Sequence, residues 1–158
     1  MRTTHRDIWR FCAYLVDRDT ADDLTQETYL RAHRASAGYR HDSPVLTWLL
    51  TIARRVCAAE ITQRQRARDL ALQLRADPRQ SRPVHADWVE LDVLIAGLPG
   101  ERRAAFVLTQ VIGCDYAEAA AVLGCPVGTI RSRVARARDD LVRALADTGR
   151  DRRVVSEP

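Results

Sequence analysis

The fold of the C-terminal third of the chain is decided by DYAEAAAVLGCPVGTIRSRVARAR, residues 115–138. Asp115 and Glu118 have the spacing of a capping box, in which each side chain binds the other residue's backbone amide at the start of a helix. Gly124 is placed to end that short helix, and Pro126 is placed to begin the next one. The stretch therefore predicts a short helix, a tight turn and a longer helix, which is the pattern of a helix-turn-helix.

The longer helix has an apolar side and a basic side. On a helical wheel with ~100° per residue, the residues predicted to be buried are Val127, Ile130, Val134, Ala137, Leu141 and Leu145. The solvent side and its flanks carry Thr129, Arg131, Ser132, Arg133 and Arg136. The second helix of such a motif presents its N-terminal half to base edges, and arginine can bind guanine there. For this helix alone, a basic surface helix without a ligand is the alternative, but the cap, turn and proline start favour a DNA-recognition helix.

The chain ahead of this motif predicts more helices and a linker. Ile8, Phe11, Cys12 and Leu15 follow a helical period. Thr20 is expected to cap a second helix, and a third helix that starts at Ser43 and Pro44 leads into a basic run. From Ala76 to Asp87 the apolar period fails and polar residues and proline accumulate, a composition that buries too little surface to order the segment.

Composition favours helices over sheets, because Ala, Leu and Arg dominate and only 7 residues are glycine. A chain of 158 residues is long enough for two small domains. We therefore predict an all-α fold of two small helical domains joined by a flexible linker. The predicted divisions are a first domain at 1–70, a linker at 71–87, a helix-turn-helix domain at 88–147 and a disordered tail at 148–158.

Charge is distributed unevenly along the chain. The net charge is +4, and all 25 basic residues are arginine, which we attribute mostly to a GC-rich genome. Residues 17–27 contain five acids against one arginine, whereas residues 54–68 contain five arginines against one acid. Either run taken alone could be a solvated helix face, but the two together indicate one acidic and one basic surface.

Several classes of protein are disfavoured. The four cysteines and four histidines show no metal-ligand spacing, disulfide framework or catalytic arrangement, and no glycine-rich loop is placed to bind phosphate. No stretch approaches the ~20 apolar residues of a membrane span, and the N-terminus is charged. We therefore expect a cytoplasmic protein that is not an enzyme and that has no metal or cofactor.

With these residues considered together, the chain resembles the extracytoplasmic-function (ECF) sigma factors of bacterial RNA polymerase, and in particular their sigma-C-like branch. The blocks that carry the resemblance are ADDLTQETYLRA at 21–32, TWLLTIAR at 47–54 and the stretch at 115–138. The resemblance implies a promoter-specificity subunit that binds core RNA polymerase and promoter DNA. An anti-sigma factor is a further partner that it allows.

The resemblance also assigns roles to residues of this chain. It implies that the acidic face docks on the clamp helices of the largest polymerase subunit through Asp23, Gln26, Glu27, Leu30 and Arg31. It implies that the minus-ten element is held by Trp48, Arg54, Arg55, Arg64 and Arg66, with a loop at 39–43 able to take an unstacked base. For the minus-thirty-five element it implies contacts by Thr129, Arg131, Ser132 and Arg136, with Arg133 on phosphate. Family members usually have a further helical segment ahead of the position of His5, so a shortened start is expected here.

A different class of function is the alternative. A free-standing helix-turn-helix regulator would bind DNA as a dimer, and the first domain would then serve in sensing or dimerisation. Tight binding of a palindrome without polymerase would favour this alternative, whereas promoter-specific initiation with core enzyme would favour the sigma factor.

Overall fold

The protein is described from a computed structural model. The described backbone comprises residues 2–39, 42–73 and 90–154, and side-chain surroundings are described within 4–39, 42–72 and 91–147. Every regular element in these ranges is a helix, which confirms the predicted all-α class. The chain divides into two compact units, Met1–Asp87 and Trp88–Pro158. Residues 71–73 of the predicted linker are helical, and the rest of that linker lies outside the described residues.

In its described part, the first unit is a bundle of three α-helices, in which each helix packs on the other two. The elements are α1 (Arg2–Leu15), α2 (Ala21–Ala35), a 3₁₀ turn (Ser36–Gly38) and α3 (Val45–Gln73). The predicted stripe of α1 supplies Ile8, Phe11 and Cys12 to the core, all without exposed surface. Helix α3 contributes Leu50 and Cys57, which are equally buried. Removal of these side chains from water drives the three helices together.

Helix α2 brings small polar side chains into this core. Thr25 and Thr28 are buried, and their hydroxyls donate to the carbonyl oxygens of Ala21 and Leu24, each at 2.7 Å. Because these hydroxyls are satisfied within their own helix, burying them leaves no polar group without a partner. A small inner face on α2 therefore lets α1 and α3 approach closely while the opposite face remains in solvent.

The described residues of the second unit form five helical segments. They are α4 (Glu90–Ala96), α5 (Gly100–Phe106), a π-helical segment (Val107–Ile112), α6 (Tyr116–Leu123) and α7 (Val127–Val154). Helix α7 packs on α4, α5 and α6. It continues to Val154, so residues 148–154 of the predicted tail are helical, and residues 155–158 lie outside the described residues. No proline interrupts the helix there, and the single Gly149 costs only ~1 kcal/mol.

The π-helical segment is not predicted from the sequence, and Gly113 follows it directly. Gly113 does end it, with φ 89°, a left-handed conformation that glycine adopts without strain. The carbonyl oxygen of Leu108 accepts the backbone N–H groups of both Gly113 and Cys114. This turn leads directly into α6 and so sets where the helix-turn-helix begins.

Candidate nucleic-acid and polymerase interfaces

The start of the helix-turn-helix is fixed by the predicted capping box. The amide of Glu118 donates to Asp115 Oδ1 at 2.8 Å, and the amide of Asp115 donates to Glu118 Oε2 at 2.9 Å. Gly124 ends α6 with φ 63°, and the carbonyl oxygen of Pro126 accepts the amides of Thr129 and Ile130 in the first turn of α7. These local bonds confirm the short helix, tight turn and long helix predicted from residues 115–138.

Helix α7, the longer helix of this motif, buries one side of its N-terminal half. Ile130, Val134, Ala137 and Leu141 are buried, as the helical wheel predicts. Two members of the predicted stripe are not buried, since Val127 is 37% exposed and Leu145 is 46% exposed. Val127 lies in the first turn of α7 and Leu145 lies one turn beyond Leu141, so both lie at the ends of the packed stretch. The packed part of α7 is therefore shorter than its apolar period.

The side of α7 away from this core carries most of the predicted DNA contacts. Arg131, Ser132 and Arg136 are exposed, and Thr129 is half-buried. Ser132 Oγ donates to the carbonyl oxygen of Thr129 at 2.9 Å. The two guanidinium groups therefore project into solvent from a helix whose opposite side is fixed by its core, a geometry that suits insertion into a DNA groove.

Arg133 is placed differently from the other predicted DNA contacts. Its Nη2 forms an ion pair with Glu101 of α5, and its Nη1 donates to Cys125 Sγ at 3.5 Å. Its side chain is 21% exposed. The structure thus brings Thr129, Arg131, Ser132 and Arg136 onto one exposed face and places Arg133 beside it, in contact with another helix.

The predicted docking surface lies on α2 of the first unit. Asp23 and Gln26 are exposed, and Leu30 exposes 47% of its surface although it is apolar. Arg31 Nε donates to Glu27 Oε1 at 2.6 Å, one helical turn away. Leu30 thus lies with Asp23 and Gln26 on the exposed side of α2, an arrangement that is compatible with an apolar contact inside a polar rim.

The residues predicted to hold the minus-ten element lie along α3. Arg54, Arg55 and Arg66 are exposed. Trp48 is half-buried and packs against Tyr39, with ring centroids 4.7 Å apart, and the Tyr39 hydroxyl donates to the carbonyl oxygen of Ser43 at 2.5 Å. Residues 40 and 41 of the predicted base-binding loop lie outside the described residues.

Arg64, the fifth residue of that predicted set, is engaged inside the first unit. Its Nε donates to Glu60 Oε1 at 2.6 Å, its Nη1 pairs with Asp17, and its Nη2 donates to Thr20 Oγ1 at 3.1 Å. Because each guanidinium nitrogen already has a protein acceptor, we leave Arg64 out of the proposed DNA contacts. Sequence reasoning missed this cluster because Asp17 and Arg64 are far apart in the chain.

The same cluster corrects the expected cap of α2. Thr20 makes no capping bond with its side chain. Instead Asp17 Oδ1 accepts both the Thr20 amide at 2.9 Å and the Thr20 hydroxyl at 2.8 Å. Burial raises the pKa of Asp17, but the hydrogen bonds from Arg64 and Thr20 together outweigh it and lower the pKa below the ordinary value. Asp17 therefore stabilises the turn that leads into α2, because a charged carboxylate is a strong acceptor.

Other site chemistries receive no support in the described ranges. There, no group of three or more His, Cys, Asp and Glu side chains is placed to hold a metal ion. None of the described helices combines the length and apolar character that crossing a membrane requires. The four cysteines are free thiols, and only Cys125 is not fully buried.

Comparison with known proteins agrees with these two units. Residues 1–67 match the family described as Sigma-70 region 2, and residues 88–141 match Sigma-70 region 4. The chain is 48% identical to the probable RNA polymerase sigma-C factor of Mycobacterium bovis over 96% of its own length and 82% of that protein. The ECF RNA polymerase sigma factor EcfG of Rhodopseudomonas palustris is 38% identical, over 78% of this chain and 70% of that protein.

Solved structures show the same fold. The sigma factor RpoE of Bartonella quintana, in complex with the anti-sigma factor NepR, superposes with a TM-score of 0.77 and 28% identity, over 90% of this chain and 92% of that one. CnrH, in complex with the cytosolic domain of CnrY, gives a TM-score of 0.63 and 25% identity, over 92% of this chain and 82% of that one. The chain therefore belongs to the ECF family of RNA polymerase sigma factors and directs the initiation of transcription.

Proposed function

We propose that this sigma factor recognises the minus-thirty-five element with the exposed face of α7. The observation that carries this assignment is the division of α7 into two sides, with Ile130 and Val134 in the core and Arg131 and Arg136 in solvent. Arg131, Ser132 and Arg136 contact base edges, and Thr129 supports them from the first turn of the helix. One well-placed arginine on guanine contributes ~1 to 3 kcal/mol of discrimination between bases.

The first unit holds the minus-ten element and docks on the polymerase. Arg54, Arg55 and Arg66 are exposed on α3, and they bind backbone phosphates on both sides of the element. Trp48, packed on Tyr39, offers an aromatic surface against which an unstacked base can lie. In this assignment residues 1–70 form the domain for docking and minus-ten binding, 71–87 the linker, and 88–147 the domain for minus-thirty-five binding.

Docking on the clamp helices of the largest polymerase subunit uses the acidic face of α2. Leu30 supplies the apolar contact at its centre. Asp23, Gln26, Glu27 and Arg31 supply charge and hydrogen bonds around it. Charge complementarity at such a rim determines specificity and association rate more than raw affinity.

Regulation by an anti-sigma factor fits this protein as well. Both similar structures described above are complexes of a sigma factor, one with the anti-sigma factor NepR and the other with the cytosolic domain of CnrY. We extend this kind of partner to the present chain. The protein then acts in the cytoplasm by binding polymerase and DNA, with no catalysis of its own.

Reconstituted transcription tests the proposed function. The purified chain is added to core RNA polymerase with a genomic template library, and transcript starts are mapped. We expect starts that share one upstream and one downstream sequence element at a fixed spacing. Starts that are indistinguishable from those of core enzyme alone would refute the proposal, and tight binding of a palindrome without polymerase would favour a dimeric regulator.

The docking surface is tested separately. Asp23→Ala combined with Glu27→Ala removes two carboxylates from α2, and we expect weaker binding to core polymerase with unchanged folding. Asp42→Ala combined with Asp69→Ala is the matched control, because it removes the same charge from exposed positions of the first unit outside α2. Equal binding by both double variants would contradict docking through α2.

A further inference from the structure

Three polar contacts hold the recognition helix to α5 and the π-helical segment. Arg133 pairs with Glu101 of α5, and Arg102 Nη1, on the next residue of α5, binds Asp140 Oδ2 at 2.6 Å. From the other side, Arg138 Nη2 donates to Gln110 Oε1 at 2.9 Å. These contacts join residues that lie 28 to 38 positions apart in the chain. They are therefore tertiary links between helices, not features of one helix.

The three contacts lie on two opposite flanks of α7. Arg133 and Asp140 are seven residues apart, so they share one flank, whereas Arg138 lies on the opposite one. The order of charges is also specific, because Glu101 meets an arginine and the adjacent Arg102 meets an aspartate. A shift that exchanged the partners would oppose like charges. The apolar stripe thus decides which side of α7 is buried, and the flanking contacts fix how the helix is rotated about its axis.

Arg133 lacks the surroundings that a phosphate-binding arginine needs. Two of its three guanidinium nitrogens already have protein acceptors, Glu101 and Cys125. Its side chain is 21% exposed, while Arg131 and Arg136 are exposed residues. A carboxylate beside the guanidinium competes with phosphate and also repels the DNA backbone. If Arg133 bound phosphate, Glu101 would weaken promoter binding.

We infer that Arg133 is a positioning residue for promoter recognition, which fixes the orientation of the exposed face of α7 through Glu101 instead of contacting phosphate itself. The inference rests on the proposed minus-thirty-five contact by α7. It gives Glu101, an acidic residue beside a DNA-binding surface, a favourable role. Cys125, in the turn between α6 and α7, is the second anchor of the same guanidinium.

The two roles of Arg133 predict different dependence on DNA sequence. Loss of a phosphate contact weakens binding about equally on every sequence. Loss of a positioning contact misaligns Arg131 and Arg136, and therefore weakens binding to an intact upstream element more than to a scrambled one. The ratio of the two affinities separates the two roles, and a general loss of activity does not change it.

The experiment uses holoenzyme reconstituted from core polymerase and the full chain. Affinity is measured on two promoters that differ only in whether the minus-thirty-five element is intact or scrambled. The variants are Arg133→Met, Glu101→Gln and the charge exchange Glu101→Arg with Arg133→Glu. Asp139→Asn is the charge-matched control, because it removes one exposed carboxylate from α7 itself.

We expect Arg133→Met to lower the affinity ratio by about three- to tenfold, since the arginine is partly buried. Glu101→Gln lowers it by up to about fivefold, because Glu101 is 79% exposed and such pairs are weak. The charge exchange restores at least half of the loss, and the Asp139→Asn control leaves the ratio unchanged. Glu101→Gln keeps the test valid even if Arg133→Met impairs folding, because an exposed Glu is replaced by its closest neutral analogue.

The inference is overturned if Arg133→Met weakens both promoters equally while Glu101→Gln strengthens both. It is also overturned if the charge exchange lowers the affinity ratio more than either single substitution does. In that case the acid placed on α7 would repel phosphate. A wild-type holoenzyme that does not distinguish the two promoters would overturn the proposed minus-thirty-five contact and this inference together. A discriminating wild type with an unchanged ratio in Arg133→Met would overturn this inference alone.

Discussion

Helices α3 and α7 are almost equal in length, at 29 and 28 residues, and both carry several arginines, but they hold these arginines differently. On α7 the exposed Arg131 and Arg136 lie opposite a buried stripe within the first three turns. On α3 the packed residues lie in the first half of the helix. Arg64, in the second half, forms ion pairs with Glu60 on the same helix and with Asp17 in the loop between α1 and α2. The arginines of one basic run can therefore have different roles, and the partner of each guanidinium group shows which role that arginine has.

The largest expected effect tests the packed side of α7. Ile130→Ala removes a fully buried side chain and should destabilise the second unit by about 2 to 5 kcal/mol. Val142→Ala on the same helix is the control, since Val142 is exposed and should change stability by less than about 0.5 kcal/mol. Hydrogen exchange of the α5 and α7 amides gives the measurement, with the first unit as internal reference. Similar losses for both variants would mean that α7 lacks two distinct sides.

The exposed side of α7 should have the next largest effect. Arg136→Ala is expected to weaken use of promoters with an intact minus-thirty-five element by about 1 to 3 kcal/mol, while binding to core polymerase is retained. Arg143→Ala, an exposed arginine two turns further along, is the control and should have little effect. The measurement is promoter affinity of the holoenzyme. Equal loss of core binding by Arg136→Ala would contradict a DNA-specific role.

A smaller effect is expected for Arg64, the arginine of α3 that is bonded inside the first unit. Arg64→Met keeps the apolar stem but removes the bonds to Asp17, Glu60 and Thr20, and should cost the first unit about 1 to 2 kcal/mol once partial exposure is allowed for. Arg66→Met is the matched control, because Arg66 is exposed and lies two residues beyond Arg64 on the same helix. Hydrogen exchange of α1 and α2 amides reports the difference. If both variants were equally stable, Arg64 would be as available to DNA as Arg66.

The smallest expected effect is a loss of stability of the first unit at acidic pH. Because the folded-state pKa of Asp17 is lowered, its contribution to stability is present above the ordinary pKa of 3.8 and is lost as pH falls through the lower folded value. Between about pH 5 and pH 3 the wild-type first unit should lose more stability than Asp17→Asn. Unfolding by urea at a series of pH values provides the measurement. If the stability of the wild type and of Asp17→Asn fell in parallel with pH, the bond to Arg64 would not lower the pKa of Asp17.

Local signals in the sequence predicted the second unit better than the first. The capping box of Asp115, the left-handed Gly124 and the stripe through Ile130 depend on residues within a few positions of each other, and the structure contains all of them. The ion pair of Asp17 with Arg64 and the pairing of Arg133 with Glu101 could not be predicted in this way. Each depends on a partner brought close by tertiary packing, and no helical period encodes it.

The extent of the helices shows a similar limit. The apolar stripe of α7 predicted an end near Leu145, but the backbone remains helical to Val154 because helix formation needs no buried face once a helix has begun. Thr25 of α2 is polar but buried, and its hydroxyl donates to the carbonyl oxygen of Ala21. A polar residue that bonds its own helix escapes detection by hydrophobic pattern.

The π-helical segment Val107–Ile112 affects how this chain should be compared with its relatives. A π-helical turn holds more residues than an α-helical turn, so the segment can gain or lose a residue without breaking the helix. We expect a chain that is one residue shorter here to form a regular α-helix and still reach Gly113 in the same place. Single-residue gaps in alignments of this region therefore belong within 107–112, which keeps the capping box and the recognition helix in register.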